Sequence, residues 1–173
     1  MNERHLVLVG LMGAGKTTVG QRCAQLLERP FVDTDDVVVA TSGMTVTEIF
    51  ERHGEARFRE LERGAVADVC ASPEPLVIAC GGGAVLDADN RKQLHARGFV
   101  VWLQAPPSVL GARVGDGATR PLLRDGSIAT LERLAALRAP AYEDAADVVV
   151  RTEDRTVDDV TARVIEELQS WNG

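Results

Sequence analysis

The sequence contains no long apolar run and no apolar segment at its start. Stretches such as Leu6 to Val9 and Leu76 to Cys80 are far too short to cross a bilayer. Met1 to His5 carries no hydrophobic signal segment, so nothing suggests export. These absences predict a cytoplasmic protein that makes no contact with a membrane.

Cysteine is also scarce, and its positions form no metal-binding or disulfide pattern. An odd number of cysteines without CxxC spacing predicts free thiols in a reducing compartment, where they serve mainly as small buried apolar side chains. The histidines do not cluster with the cysteines, which argues against a zinc site. The residues concerned are Cys23, Cys70, Cys80, His5, His53 and His95.

Positive charge is limited, and lysine is especially rare. The formal net charge of −7 argues against non-specific binding to nucleic acid, although a local positive field can still bind a phosphorylated ligand. Arginine supplies nearly all of the positive charge, and the only lysines are Lys16 and Lys92. Because arginine and lysine are not interchangeable at a phosphate site, the place of Lys16 in a glycine-rich motif is informative.

The composition is typical of one globular domain spanning residues 1–173, with 45% hydrophobic and 26% charged residues. No linker or internal repeat divides the chain. Short apolar runs predict strands, and the segments between them have the three- and four-residue apolar spacing of helices. This alternation indicates an α/β domain with a parallel sheet covered on both faces, and it leaves the strand order open. The predicted strands are His5–Val9, Pro30–Asp33, Leu76–Cys80, Phe99–Leu103 and Asp147–Arg151, and the predicted helical segments include Val19–Leu27, Val46–Cys70, Leu131–Leu137 and Val157–Trp171.

Residues 115–126 interrupt this alternation. The segment reads GDGATRPLLRDG, and its glycines, proline and charges leave too little apolar content for a core position. A surface loop would explain the composition, but loops of this length are uncommon unless they have a function. We therefore predict a mobile lid that contains Arg120.

Residues 10–17 read GLMGAGKT and match the phosphate-binding pattern G-x-x-x-x-G-K-[ST]. The motif follows a predicted strand and opens a helical segment, which is the context that such a motif requires. Its glycines let backbone N–H groups surround phosphate oxygens, and the helix N-terminus adds positive potential. Lys16 can then reach the outer phosphates of ATP, while the Thr17 hydroxyl can bind Mg²⁺. The predicted ATP contacts in this motif are Met12, Gly13, Ala14, Gly15, Lys16, Thr17 and Thr18.

Carboxylates cluster just beyond the second predicted strand, at 33–36. Ligands bind at the carboxyl ends of strands in such sheets, and strand alternation would direct Asp33 and Asp35 to the same side. Asp33 is the leading Mg²⁺ candidate, directly or through water, because neither Leu76–Cys80 nor Val100–Leu103 is followed at once by a Walker B aspartate. Asp35 is suited to accept a hydrogen bond from a substrate hydroxyl and to act as a base. Asp36 is predicted to cap the following helix.

Gly81, Gly82 and Gly83 directly follow the third predicted strand. Three successive glycines cost backbone entropy, whereas a tight turn needs only one or two. We therefore expect a ligand to approach the backbone closely at this turn. A guanine nucleotide is not expected, because the chain has no Asn-Lys-x-Asp element.

Taken together and in order, these motifs resemble those of shikimate kinases. The segments are GLMGAGKT, DTD, FRELE, GGGAV, TRPLL and RAPAY, and the resemblance runs from about Leu6 to about Arg155. It implies the P-loop fold of nucleoside monophosphate kinases, with three α/β/α layers, a five-stranded parallel sheet and a lid. It also implies a monomer that uses ATP and Mg²⁺ to phosphorylate the 3-hydroxyl of shikimate, in the chorismate pathway to the aromatic amino acids.

The resemblance also implies roles for individual residues. Asp35 matches the substrate-binding aspartate, whereas Arg59 and Arg138 match the arginines that clamp the substrate carboxylate, which a guanidinium fork suits better than an ammonium. Arg120 matches the lid arginine that reaches the transferring phosphate, so the implied catalytic set is Lys16, Asp35 and Arg120. A helical segment at about 36–63 is implied to bind the acceptor. The remaining implied contacts are Phe50, Phe58, Glu62, Gly81, Gly82 and Gly83 around the substrate, and Arg113 and Arg155 on the adenine side.

Two other functions stay open. A related P-loop kinase would phosphorylate another small hydroxylated acid, such as gluconate, or a nucleotide; two arginines combined with Asp35 favour a cyclic hydroxy acid. The other is a nucleotide-binding module without catalysis. Such a module would not need Lys16, Asp35 and Arg120 together with Thr17 and Asp33, so their presence argues against it.

Overall fold

The computed structural model describes residues 4–114 and 128–171. In this part of the chain, five strands form one parallel sheet in the order β2-β3-β1-β4-β5. Each predicted strand is confirmed to within one residue at either end. The central strands β1, β3 and β4 are buried on both faces and are therefore near-continuous apolar runs, whereas the edge strands β2 and β5 are partly exposed. The strands are β1 (His5–Val9), β2 (Phe31–Asp33), β3 (Val77–Ala79), β4 (Gly98–Gln104) and β5 (Val148–Arg151).

Helices cover both faces of this sheet: α1 packs with α7, and α4 packs with α3 and α6. The predicted helix at 46–70 is confirmed in its bounds, and the acceptor-binding segment predicted at about 36–63 falls across α2 and α3. No helix in the described ranges combines the length and the apolar character needed to cross a bilayer. The helices are α1 (Lys16–Leu27), α2 (Thr34–Ser42), α3 (Val46–Cys70), α4 (Ala88–Arg97), α5 (Pro107–Val114), α6 (Ile128–Ala145) and α7 (Val157–Ser170).

Two apolar cores support the fold. The larger lies around β1, β3 and β4, where residues such as Leu6, Ile78 and Val100 are fully buried. The smaller lies between α2 and α3 and joins Val38 to Phe58. The smaller core fixes the position of α3 beside the carboxyl ends of the strands. All three cysteines are buried free thiols, as predicted.

The strand order brings the predicted site segments together. β2, β3 and β1 are neighbours, so their carboxyl ends lie side by side at one edge of the sheet. Asp33 ends β2, the three glycines follow β3, and the phosphate motif follows β1. Ligands bind at this edge in open parallel sheets.

The prediction that Asp36 caps the helix after β2 is wrong. β2 runs into α2 without a loop, so its last residue, Asp33, is the N-cap, and its Oδ1 accepts a hydrogen bond from the Asp35 backbone N–H at 2.9 Å. Asp35 and Asp36 lie in the first turn of α2, where carboxylates also suit the helix dipole. Asp33 and Asp35 do reach the same side, but through this strand-to-helix turn and not through strand alternation.

Candidate active site

The loop between β1 and α1 has the conformation that its glycines permit. Gly13 and Gly15 have φ values of 81° and 94°, a left-handed region that residues with a Cβ rarely adopt. Gly15 is the N-cap of α1, so the loop leads directly to the positive end of that helix. The Lys16 Nζ donates to the carbonyl oxygens of Gly10 at 2.7 Å and Leu11 at 3.0 Å. The ammonium is therefore held across the mouth of the loop.

A cavity of about 330 Å³ opens above this loop; we call it the phosphate cavity. At its floor, the Thr17 hydroxyl donates to the Asp33 Oδ2 at 3.3 Å. A hydroxyl and a carboxylate side by side, next to a phosphate loop, match the sparse protein ligation that Mg²⁺ uses when phosphates and water supply the other oxygens. No group of three or more histidine, cysteine or acidic side chains in the described ranges forms a self-sufficient metal cage. The lining residues are Gly13, Gly15, Lys16, Thr17, Thr18, Asp33, Asp35, Cys80, Gly81, Gly82 and Arg113.

A second cavity of about 310 Å³ adjoins the first; we call it the arginine cavity. The two cavities share Asp33, Asp35, Gly81 and Gly82, so a molecule in one can contact a molecule in the other. Every described residue that the sequence predicted around the substrate lines the arginine cavity. Its lining comprises Met12, Asp33, Asp35, Asp36, Val46, Phe50, Phe58, Arg59, Glu62, Gly81, Gly82, Gly83 and Arg138.

Arg59 enters the arginine cavity from α3 in a defined orientation. Its Nη1 donates to the Glu62 Oε2 at 2.7 Å and its Nη2 donates to the Glu55 Oε1 at 3.0 Å. The guanidinium also lies 5.2 Å from the centre of the Phe58 ring. Glu62 is 1% exposed, and burial raises its pKa against the opposing effect of Arg59. Two carboxylates and an aromatic face thus fix the guanidinium before any ligand arrives.

Arg138 enters the same cavity from α6 and is nearly fully buried, at 3% exposure. Its Nε has no hydrogen-bond partner among residues 4–114 and 128–171. A buried guanidinium donor without a partner is costly, so the side chain is suited to an anion that is not among the described residues. Two positive groups from different helices therefore converge on one pocket of mixed polarity.

The glycine turn allows the charged side chains to approach the backbone. A Cβ on Gly81 would lie 2.7 Å from both the Asp35 Oδ1 and the Glu62 Oε1, and a Cβ on Gly83 would collide with the Arg59 guanidinium. A Cβ on Gly82 would lie 3.1 Å from the Arg138 Nη1. The glycines thus leave room for the pocket's own charges as well as for a ligand.

The predicted adenine-side and lid residues have different outcomes. Arg113 donates to the Gly13 carbonyl at 3.2 Å and to the Thr152 hydroxyl at 2.9 Å, so it lies beside the phosphate cavity. Arg155 is exposed between β5 and α7 and lines neither cavity. Ala14 is buried beneath the loop and does not line the phosphate cavity. Arg120 and the predicted lid lie outside the described residues.

The sequence reasoning missed two residues that shape the site. Tyr142 donates from its hydroxyl to the Gly82 carbonyl at 2.5 Å, and the Thr34 hydroxyl accepts from the Gly81 N–H at 3.0 Å. Tyr142 stands four residues after Arg138, on the same face of α6, and this spacing is the signal that would have identified it. Thr34 gives no comparable signal, because its contact is with the glycine turn, which is distant in the sequence.

Comparison with known proteins agrees with this geometry. Residues 12–169 match the family model described as shikimate kinase. A shikimate kinase from Symbiobacterium thermophilum is 48% identical over 168 residues, which cover 95% of this chain and 96% of that protein. The structure of an Acinetobacter baumannii shikimate kinase in complex with shikimate superposes with a TM-score of 0.93 at 36% identity, covering 96% of this chain and 93% of that one. A gluconokinase from Sinorhizobium meliloti, with a TM-score of 0.55 and 20% identity, shares the fold alone. The chain belongs to the shikimate kinase family.

Proposed function

We propose that this chain transfers the terminal phosphoryl group of ATP to the 3-hydroxyl of shikimate, giving shikimate 3-phosphate and ADP. The observation that supports this most directly is the junction of the two cavities. A triphosphate on the glycine loop and an acid in the arginine cavity would meet at Asp33, Asp35, Gly81 and Gly82. Phosphoryl transfer depends mainly on such positioning and on charge stabilisation.

The acceptor's carboxylate would bind Arg59 and Arg138. A carboxylate accepts paired hydrogen bonds from a planar guanidinium, and two guanidiniums select an anion over a neutral sugar. The Arg138 Nε, buried without a partner in the described chain, would gain one when the acid binds. The Phe50 and Phe58 rings, whose centroids are 4.9 Å apart, form an apolar wall for the ring of the acid.

The acceptor's hydroxyls would be oriented by Asp35 and by the backbone of the glycine turn. Asp35 lies at the junction of the cavities, which is where the attacking hydroxyl must be. Its carboxylate would accept the hydrogen bond of that hydroxyl and take its proton as the phosphoryl group transfers. Glu62 would act on the substrate through Arg59, whose orientation it fixes.

The phosphates of ATP would bind the loop N–H groups and Lys16. The Lys16 ammonium would exchange its bonds to the Gly10 and Leu11 carbonyls for phosphate oxygens. Thr17 and Asp33 fit Mg²⁺, which when bound neutralises charge on the outer phosphates. Arg113 would contact the nucleotide beside the loop, and Arg120 would reach the transferring group from the predicted lid.

The test is phosphoryl transfer from MgATP to a panel of acceptors. Shikimate should give the highest kcat/KM. A cyclic acid that lacks the 3-hydroxyl geometry should give a much lower kcat/KM, and gluconate the lowest of the three. Preference for gluconate or for a nucleotide would refute the acceptor assignment. ATP binding without turnover of any acceptor would favour the non-catalytic module instead.

Arg120→Ala should lower kcat more than it weakens substrate binding.

Two further properties stay predictions of the sequence: the chain acts as a monomer, and it acts in the cytoplasm. Sedimentation equilibrium tests the first, and a concentration-dependent dimer would refute it. Fractionation of the producing cell tests the second.

A further inference from the structure

A third cavity, of about 370 Å³, borders the phosphate loop at Leu11; we call it the α5–α6 cavity. It shares no residue with the phosphate cavity or with the arginine cavity. Its volume is in the range of small-molecule sites. Its lining includes Leu11, Trp102, Leu110, Ala135, Tyr142, Arg151 and Glu153.

The walls of the α5–α6 cavity are largely apolar and partly aromatic. The Trp102 and Tyr142 rings, from β4 and α6, stack with centroids 5.3 Å apart. Leu110 of α5 and Ala135 of α6 line the cavity as well. Flat aromatic and aliphatic surfaces of this kind favour an aromatic ring, which buries much area at little conformational cost.

Opposite charges complete the lining of this cavity. Arg151 and Glu153 both contribute to it, and the Glu153 Oε2 is buried without a hydrogen-bond partner in the described ranges. A carboxylate in that state favours a cationic donor. Arg151 is exposed and has no ion pair with a described residue, so it can bind an anion. A ligand with a ring, an ammonium and a carboxylate matches all three features.

The α5–α6 cavity borders the nucleotide side without sharing a lining residue with the phosphate cavity. Thr152 lies between Arg151 and Glu153, and its hydroxyl faces Arg113 and the phosphate loop. Arg151 ends β5 and Glu153 follows in a turn, and both line the α5–α6 cavity but not the phosphate cavity. The cavity does contact the acceptor side through Tyr142, whose hydroxyl bonds to the Gly82 carbonyl.

We propose that the α5–α6 cavity is a second binding site for a small aromatic α-amino acid. Its ring packs between the helices, its ammonium binds Glu153 and its carboxylate binds Arg151. Binding shifts Tyr142 and, through the hydroxyl bond to Gly82, alters the arginine cavity. Binding itself does not depend on the proposed kinase reaction, whereas the effect on the arginine cavity rests on it.

Calorimetric titration of the full chain with L-phenylalanine tests the site. L-Phenylalanine should bind saturably, at least about tenfold more tightly than 3-phenylpropanoate, which lacks the ammonium, or L-leucine, which lacks the ring. No saturable binding, or equal binding of L-phenylalanine and 3-phenylpropanoate, would overturn the proposal.

A matched pair of variants locates the binding. Glu153→Gln should weaken L-phenylalanine about tenfold or more, whereas Asp154→Asn removes the same charge from the neighbouring exposed residue and should have no effect. Ala135→Leu should fill the cavity and abolish binding while circular dichroism remains that of the parent. Equal weakening by Glu153→Gln and Asp154→Asn would mean a general charge effect and would refute the site.

Steady-state kinetics tests the connection to the arginine cavity. Saturating L-phenylalanine should change the KM for shikimate in the parent and in Asp154→Asn but not in Glu153→Gln. If calorimetry shows binding but the KM of the parent is unchanged, the connection through Tyr142 is refuted, whereas the binding site itself is not. Failure of shikimate to react at all would refute the proposed function and leave the calorimetric result unaffected.

Discussion

Replacing Arg138 by methionine should weaken the acceptor and stabilise the free protein at the same time. Arg138 is 3% exposed and its Nε has no hydrogen-bond partner in the described chain, so the ligand-free fold contains a costly buried donor. Methionine keeps a long flexible apolar stem and removes the guanidinium. The same group that binds the acid is therefore a source of instability when the acid is absent.

The two effects have different magnitudes and opposite signs. A hydrogen bond to a charged group contributes about 1.5–3 kcal/mol, so the KM for shikimate should rise roughly 10- to 150-fold, with the KM for ATP nearly unchanged. An unsatisfied buried polar group costs about 1–3 kcal/mol, and for a chain of this size each kcal/mol shifts Tm by about 2–4 °C. We therefore expect Tm of the ligand-free variant to rise by a few degrees.

Calorimetric melting without ligands and steady-state kinetics measure the two effects of Arg138→Met. Arg133→Met is the control, because Arg133 lies on the same helix and is exposed; it should change neither quantity. A lower Tm for Arg138→Met would show that the free fold already satisfies the guanidinium. An unchanged KM for shikimate would refute its place in the acceptor site, and equal loss of ATP and shikimate affinity would contradict the division into two cavities.

The other predictions concern the loop, the glycine turn and the buried glutamate. Lys16→Ala should lower kcat by at least about 10²- to 10³-fold in an ADP-release assay while leaving the melting curve nearly unchanged, and retained turnover would contradict its role. Gly81→Ala should destabilise by about 1–3 kcal/mol in urea, because its Cβ would meet two carboxylates at 2.7 Å, whereas Gly64→Ala on α3, with nothing within 4 Å, should be neutral or stabilising. Since burial raises the pKa of Glu62, the folded state binds its proton more tightly than the unfolded state, and the free energy of unfolding should fall as pH rises from about 4.5 through the raised pKa. Glu62→Gln should remove that fall in urea titrations at several pH values; an unchanged pH slope would assign it to another group.

Local pattern predicted most of the secondary structure, and its failures have physical causes. The five strands were predictable because each is a short apolar run that ends at glycine, proline or a polar residue. α4 and α5, which are ten and eight residues long, are too short to display a helical period. The cap was wrongly assigned to Asp36 because the pattern cannot show that a strand and a helix join without a loop, which leaves the last strand residue, Asp33, as the cap.

The site was predictable to different degrees in its two halves. Lys16 and Thr17 belong to one continuous motif, so their geometry follows from a few backbone angles. Arg59 and Arg138 come from separate helices, and only the resemblance to a family linked them before the structure placed them in one cavity. Tyr142 and Thr34 were missed because each acts through a hydrogen bond to a glycine far away in the chain.

The sequence by itself determined the parallel α/β class, the phosphate loop and the presence of an anion-binding chemistry, because these depend on local periodicity, glycine and residue type. Only the tertiary structure decided that the strand order β2-β3-β1 brings three loop ends to one edge and that two guanidiniums share a pocket. It also decided that the Nε of Arg138 is buried without a hydrogen-bond partner among the described residues. Those facts depend on packing between distant segments. Burial in particular cannot be inferred from the type of a residue or from its neighbours in the sequence.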